Sequence, residues 1–427
     1  MTFNTEHGAL EQRLIDHILK YGPVSFEAFM DAALYDSKHG YYPNQRYLTE
    51  TSPIGTGGDF FTSPTSHPAF GALLSLQLEQ MWLNLGAPDV FNVVEMGAGE
   101  GVLCSDILEY VQRELPDFAK AINYIATDRA PSRDSKTVFD SSMLPNGVSG
   151  CVLSNELLDA MPVHRFIVLN RELLEIYVDY KDGEFVESYG DTSNPEINAR
   201  VDPFLGILPE GYRGEMNLHI GYWADSVAAV LERGYAITID YGFDRSELYK
   251  STRIDGSLRC YFQHTLSQNP LFRIGRQDIT SHVDFTAVDH CLTVMGFQRI
   301  GKPSQQEFLI NLGIEDFLKE IKIKETHKEI SRIESQENLA GVGSLINPKG
   351  LGSFSVAVHS RGLGVEPFPS LSGIDRGGYL TEGHSAPLLS SSTARHARLL
   401  RSSNPFSISQ SDFSVIPAWE EIFSDEI

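Results

Sequence analysis

The chain has 427 residues, 57 acidic against 34 basic side chains, and a formal net charge of -23. A chain of this length can bury a large core, as one decorated domain or two to three smaller ones. The charge argues against nucleic acid as the main partner, because phosphates demand a basic face, and it favours a basic partner instead.

In chain order, Leu10, Leu14, Ile15, Ile18 and Leu19 recur at helical spacing, and "YGPVSFEAFM" breaks and restarts a helix with Ser25 as N-cap. The opening segment lacks both an apolar signal core and an Arg-rich, acid-poor transit pattern, so a bacterial cytoplasm is expected. No run approaches a transmembrane span. An irregular Gly/Pro/Tyr-rich stretch, "HGYYPNQRYLTETSPIGTGGDFFTSP", leads into a helix over Ala69 to Trp82; long loops of this kind commonly serve a site.

"FNVVEM", "INYIATD", "GCVLSNE" and "GYAITIDYG" are apolar runs ending in polar residues, the pattern of parallel strands buried on both faces. Between the third and fourth, "FIVLNRELLEIYVDYKDGEFVESYG" alternates and is broken by turns, which predicts an antiparallel insertion that shapes a substrate pocket. The segment after the second strand, "TDRAPSRDSKTVFDSSMLPNG", is short and leaves a third strand open. "DFTAVDHCLTVMGFQRI" reads as helix then strand, and "GSFSVAVHSRG" as a last strand. The expected division is residues 1–88 as helical cap and covering loop, 89–360 as an α/β core with an insertion at about 163–220, and 361–427 as a partly flexible, Ser-rich extension.

"VVEMGAGEGVL", residues 93–103, is a strand, a tight glycine turn and a helix start. Glycine permits positive φ and close approach of the backbone to a ligand. The spacing G-x-G-x-G at Gly97, Gly99 and Gly101 differs from the dinucleotide G-x-G-x-x-G, and Glu95 and Glu100 would repel a pyrophosphate. S-adenosylmethionine, with an ammonium, a sulfonium and no phosphate, suits this turn better than NAD. Asp128, ending the second strand, can accept both ribose hydroxyls of either cofactor.

"SNELLDAMPVHRF", residues 154–166, follows the third strand, so Ser154, Asn155, Glu156 and Asp159 should emerge at its ligand edge. If the segment is helical, Glu156 and Asp159 share one face and Pro162 stops the helix. One reading is a capped short helix. The other is a carboxylate pair for a cationic nucleophile: a guanidinium (pKa above ~12) must approach a sulfonium, and neighbouring carboxylates offset that repulsion and orient the planar group.

"GDFFTSP" (58–64), the glycine turn, "SNELLDAMPVHRF", "IDYG" (239–242), "GSLRCYFQH" (256–264), "QDITSHVDF" (277–285) and "INPKGLGSF" (346–354) occur in order. Together they resemble the MidA family of S-adenosylmethionine-dependent methyltransferases, whose mitochondrial members are complex I assembly factors that symmetrically dimethylate an arginine. The resemblance runs from about Leu14 to about residue 360. It implies a class I methyltransferase-like (Rossmann-like) α/β fold with a twisted, mostly parallel sheet. It further implies that Glu95, Gly97, Gly99 and Gly101 line the cofactor, that Asp59, Thr62 and Ser63 close over it, and that Asn155, Glu156 and Asp159 belong to the substrate edge. Ser154 and Asp128 are the remaining expected cofactor residues. A mitochondrial matrix location is the alternative that the family brings. The chain departs from the family at Thr65 and Ala72, where acids are usual, which bears on cofactor or target binding.

No metal is expected. Asp278, His282 and Asp284 lack a further ligand cluster, and the four cysteines, Cys104, Cys151, Cys260 and Cys291, lie far apart without C-x-x-C spacing. They suit a reducing compartment. A pocket rim, joined by His264, and Asp240 at the end of the fourth strand are the better readings of these polar residues. The leading expectation is an arginine methyltransferase acting on an NADH dehydrogenase subunit or a bacterial equivalent. A cofactor-binding assembly factor that acts by association, a small-molecule methyltransferase and, least favoured, an NAD-dependent oxidoreductase are the alternatives.

Overall fold

The computed structural model describes residues 8–45, 62–129, 138–262, 265–267, 269–364, 371–375, 381–389 and 395–396. Its centre is a seven-stranded sheet in the order Gln298–Gly301, Ser355–Arg361, Leu231–Asp240, Val148–Asn155, Phe91–Met96, Ile122–Asp128, Val138–Asp140. The last five run parallel to one another, and Ser355–Arg361 is antiparallel to the strands on both of its sides. The short segment after the second strand does supply a third one, Val138–Asp140, in register with Ala126–Asp128. The architecture is class I methyltransferase-like, with a largely parallel central sheet.

Strand side chains point alternately to the two faces, and both faces are covered. Val93, Cys151, Leu153, Ile237 and Val358 pack against the helices Ala69–Asn84, Val102–Glu114, Gln305–Leu312, Ile314–Thr326 and Arg332–Leu345. Their chain neighbours Val94, Val152, Ala236 and Ala357 pack on the other face against His219–Val230 and Phe285–Val294. This double burial is why the strands read as unbroken apolar runs.

The insertion folds as expected into antiparallel strands, His164–Leu169, Glu172–Lys181, Glu184–Gly190 and Arg213–Met216. Val24–Ser25 from the N-terminal segment adds a fifth, through Val24 opposite Val178. Ser25 then caps the helix Phe26–Tyr35, its hydroxyl accepting from the Ala28 amide at 3.1 Å. Phe26, Phe29 and Met30 pack with Val163, Val178, Cys260 and Ile279, clamping the N-terminal helices onto both the insertion and a three-stranded sheet built around Arg259–Phe262. Burial of each of these side chains contributes roughly 1.5–3 kcal/mol, enough to fix the cap on the insertion and the three-stranded sheet. The described parts of the C-terminal extension are also packed: Leu371 and Ala386 belong to the main core. Among the described residues no helix is long and apolar enough to cross a membrane.

Candidate active site

A cavity of about 1090 Å³ opens at the carboxyl ends of the parallel strands, where Met96, Asp128, Asn155 and Tyr241 leave the sheet. At one end lies the glycine turn. Gly97, Gly99 and Gly101 have φ of 80°, 55° and 75°, the left-handed region that glycine occupies without strain. The Gly97 and Ala98 amides both donate to the Thr127 carbonyl at 2.9 Å, and the Gly99 amide donates to Asp128 Oδ2 at 2.9 Å. A methyl group on Gly97 would strike Leu157 Cδ1 at 2.8 Å, whereas one on Gly99 would meet nothing within 4 Å. Gly97 is therefore required by the protein's own packing, while Gly99 faces open cavity.

Behind the turn, Glu95 is 3% exposed and accepts from the Tyr124 hydroxyl at 2.9 Å. Burial pushes its carboxyl up to about 7, the tyrosine bond opposes that rise and the nearby Asp128 charge adds to it. Glu95 and Asp128 thus make this end of the cavity acidic and rich in hydrogen-bond acceptors.

At the other end stands the segment after Asn155. The helix that Ser154–Met161 could have formed is not there: Glu156 has a φ of 48° and residues 156–161 form bends and a turn. The cause is competition for backbone donors. The Glu156 amide donates to the Ile239 carbonyl at 2.8 Å, and the Leu158 and Asp159 amides donate to Asp240 Oδ2 at 2.9 and 3.3 Å. Asp240, fully buried, occupies the amides that a first helical turn would leave unpaired. Its own carboxyl is held well above the usual range by burial and by the charges of Asp159 and Glu156.

This turn brings Asn155, Glu156 and Asp159 to the cavity wall. Glu156 Oε1 accepts from the Ser63 amide at 3.3 Å and from Asn155 Nδ2 at 3.1 Å. Burial, then the Asp159 charge, push its carboxyl up to about 8. Asp159 is buried, accepts the Tyr241 hydroxyl on Oδ2 and leaves Oδ1 without a partner; Asn155 Oδ1 is likewise buried and unpartnered. Burial pushes Asp159 up to about 6, against the Tyr241 bond. Orphaned acceptors cost on the order of 1–3 kcal/mol each, so a donor-rich, cationic ligand would relieve them.

The N-terminal cap completes the wall with residues that no sequence motif marked. The Tyr35 hydroxyl donates to the Ala160 carbonyl at 2.9 Å, and the Tyr42 hydroxyl donates to Asp278 Oδ1 at 3.0 Å. Burial pushes both phenols up, so they stay protonated donors. Of the residues expected from sequence, Glu95, Gly97, Gly99, Asp128, Thr62, Asn155, Glu156 and Asp159 share this cavity. Ser154 is not on the wall; its hydroxyl lies in the sheet, accepting from Trp223 Nε1 at 3.3 Å. Gly101 starts the helix Val102–Glu114, and Ser63 sits just behind the surface with its hydroxyl donating to Gln305. Asp59 and His264 lie outside the described residues. Thr65 is on the wall, its hydroxyl accepting from the Thr62 amide at 3.1 Å, while Ala72 is sealed in the core. Asp278 and His282 line the rim, and burial lowers His282 to about 4; Asp284 instead caps the helix Phe285–Val294 and pairs with Arg245.

Residues 73–302 match a family of S-adenosyl-L-methionine-dependent methyltransferases. The chain belongs to this family. A solved structure from Burkholderia thailandensis with S-adenosyl-homocysteine bound is 30% identical, has a TM-score of 0.74, and covers 86% of this chain and 95% of its own. The mitochondrial protein arginine methyltransferase NDUFAF7 homolog of Drosophila melanogaster is 26% identical, over 70% of this chain and 74% of its own. The mitochondrial protein arginine methyltransferase NDUFAF7 of Mus musculus is 26% identical, over 71% and 74%. These similarities place the chain among the MidA-type methyltransferases, and its cofactor is S-adenosyl-L-methionine. The cavity fits that group: the open face of Gly99 leaves space for a ligand against the backbone, and the acids around it suit cationic and hydroxyl groups and repel a pyrophosphate.

Proposed function

We propose that this methyltransferase acts on the guanidinium of an arginine in a protein, with Glu156 and Asp159 as the groups that hold it. The observation that carries the reading is the pair of adjacent carboxylates on the cavity wall, one of them with a buried oxygen that has no partner. When bound, S-adenosyl-L-methionine supplies an electrophilic methyl group on a positively charged sulfur. A guanidinium approaching it brings a second positive charge, and Glu156 and Asp159 offset that repulsion. The planar, five-donor guanidinium can satisfy Asp159 Oδ1, Glu156 and Asn155 Oδ1 together, and this orients one of its nitrogens. Tyr241 and Asp240 act as positioning residues, the first fixing the Asp159 carboxylate and the second fixing the turn that presents it. Glu156, poised near 8, is the acceptor for the proton that the methylated nitrogen releases. At the other end, Glu95, Gly97, Gly99, Asp128 and Thr62 hold the cofactor.

A protein arginine suits the net charge of -23, which attracts basic segments. The named activity of the curated relatives supports the same substrate class. The target we propose is an NADH dehydrogenase subunit or its bacterial equivalent, on the family resemblance, which puts the protein in a mitochondrial matrix or a bacterial cytoplasm. The test is methyl transfer from labelled S-adenosyl-L-methionine into extract of cells lacking the gene, followed by acid hydrolysis and separation of methylated amino acids. Label in methylarginines of one protein band is the expected result. Label confined to small molecules, or no transfer by protein that binds the cofactor, refutes the reading.

A further inference from the structure

The acids of the cavity account for the cationic and hydroxyl parts of the cofactor, but its amino-acid end also carries a carboxylate. Glu95, Asp128, Glu156 and Asp159 all repel such a group, so a cation must face it. Four Arg and Lys side chains among the described residues line the cavity. Arg129 is committed to Asp31 at 2.9 Å and lies 4.3 Å from the centre of the Tyr35 ring. Arg259 belongs to the three-stranded sheet beside Asp278, at the acid-pair end, and Lys349 belongs to the loop that carries Phe354 against Tyr241. Arg395, from the C-terminal extension, lies on the helix that begins at the glycine turn.

Two contacts fix it there. Arg395 Nη2 donates to Glu109 Oε1 at 2.7 Å, and the next residue, His396, bonds through Nε2 to Asp106 Oδ2 at 2.8 Å. Both acceptors belong to Val102–Glu114. The His396–Asp106 pair is buried, with the residues 9% and 5% exposed, so this is a packed attachment. Arg395 Nε is buried and has no partner. Further back, the Leu389 amide donates at 2.7 Å to Asn338 Oδ1, which also bonds His67 Nε2 at 3.0 Å, and His67 directly follows the turn Ser63–Ser66. The described residues Leu389, Arg395 and His396 thus contact, directly or through Asn338, the two segments that wall the cofactor end. The first turn of Val102–Glu114 adds unpaired amides and the positive end of a helix dipole, which also favour an anion.

We infer that Arg395 binds the α-carboxylate of S-adenosyl-L-methionine, making the C-terminal extension part of the cofactor site. The part of the guanidinium that lines the cavity takes that carboxylate while Nη2 stays on Glu109, and the His396–Asp106 pair holds the segment in place.

The test is calorimetric binding to the full chain of two probes, S-adenosyl-homocysteine and its decarboxylated analogue S-adenosyl-3-thiopropylamine, which keeps the amine and lacks the carboxylate. Arg395→Gln is expected to weaken S-adenosyl-homocysteine about 10- to 100-fold, the range for one hydrogen bond between charged groups, and to leave the analogue within about twofold. Glu109→Gln, at an exposed position, keeps Arg395 and weakens the contact that holds its Nη2; it is expected to loosen S-adenosyl-homocysteine roughly two- to fivefold and not the analogue. The second variant keeps the test decisive if the first unfolds. Equal effects on the two probes, or none on either, in the folded variants overturn the assignment.

Discussion

Glu156→Gln separates a substrate-holding carboxylate from a residue that merely shapes a turn. Glutamine has nearly the same volume, and its amide oxygen can still accept from the Ser63 amide and from Asn155 Nδ2. What it cannot do is ionise. Burial and the Asp159 charge raise the Glu156 carboxyl from 4.5 to about 8, so ionising it in the empty cavity costs at most about 5 kcal/mol more than in water. A guanidinium bound beside it recovers part of that cost, through charged hydrogen bonds worth roughly 1.5–3 kcal/mol each. If the interaction strengthens as the methyl group moves, its loss lowers the single-turnover rate by about 10²- to 10³-fold. Affinity for S-adenosyl-homocysteine, measured by calorimetry, should change less than about twofold, since Glu95, Asp128 and the glycine turn are untouched. The melting temperature should stay the same or rise, because a neutral amide has no desolvation cost to carry. In the wild-type protein kcat/KM should climb with pH and level off above about 8, as the free enzyme ionises Glu156, and the variant should lack that limb. A variant that transfers methyl groups within about threefold of wild type while melting several degrees earlier would refute the reasoning and reduce Glu156 to a structural residue.

The same carboxyls make the ligand-free protein sensitive to alkali. With Glu95 raised to about 7 and Glu156 to about 8, the folded chain keeps protons that the unfolded chain releases near 4.5, so their contribution is complete below that value and is lost as pH rises through 7 to 8. Thermal melts at pH 6 and 8.5 should show a smaller fall in Glu156→Gln than in wild type; an identical fall argues against the raised carboxyl. Gly99→Val should abolish S-adenosyl-homocysteine binding and cost only the strain of a positive φ, roughly 1–2 kcal/mol, because the protein leaves that face open. Gly97→Ala should instead melt earlier, since its methyl meets Leu157; calorimetry and melting curves on both variants decide, and undiminished binding by Gly99→Val refutes the cofactor placement. Tyr241→Phe removes the hydroxyl that lowers Asp159, so Asp159 should keep its proton to higher pH and methyl transfer at pH 7 should fall about tenfold; an unchanged rate and pH profile exclude a positioning role for that hydroxyl.

Much of this protein was legible in local pattern. Val93-Val94, Val152-Leu153 and Ala236-Ile237 are apolar on both faces because each strand is covered twice, and that double covering leaves unbroken runs in the sequence. Three alternating glycines announce a turn because positive φ at three alternate positions leaves little else possible, and Glu95, Asp128, Glu156 and Asp159 lie at or just after strand ends, which places them at one edge of the sheet. Local pattern misjudged the segment after Asn155. Helical spacing of Glu156 and Asp159 was compatible with a short helix, but Glu156 takes a positive φ and the amides of the segment pair with Ile239 and Asp240, more than eighty residues away. The rest of the site is likewise held by long-range contacts: Tyr35 to Ala160 across 125 residues, Tyr42 to Asp278 across 236, and His396 to Asp106 across 290. A hydroxyl or imidazole has no periodicity that says what it will bond. Periodicity and turn chemistry are properties of neighbours along the chain, and so the sequence by itself determined the sheet and its glycine turn. Which donor meets which buried oxygen depends on where separate elements dock, and only the tertiary structure decided that.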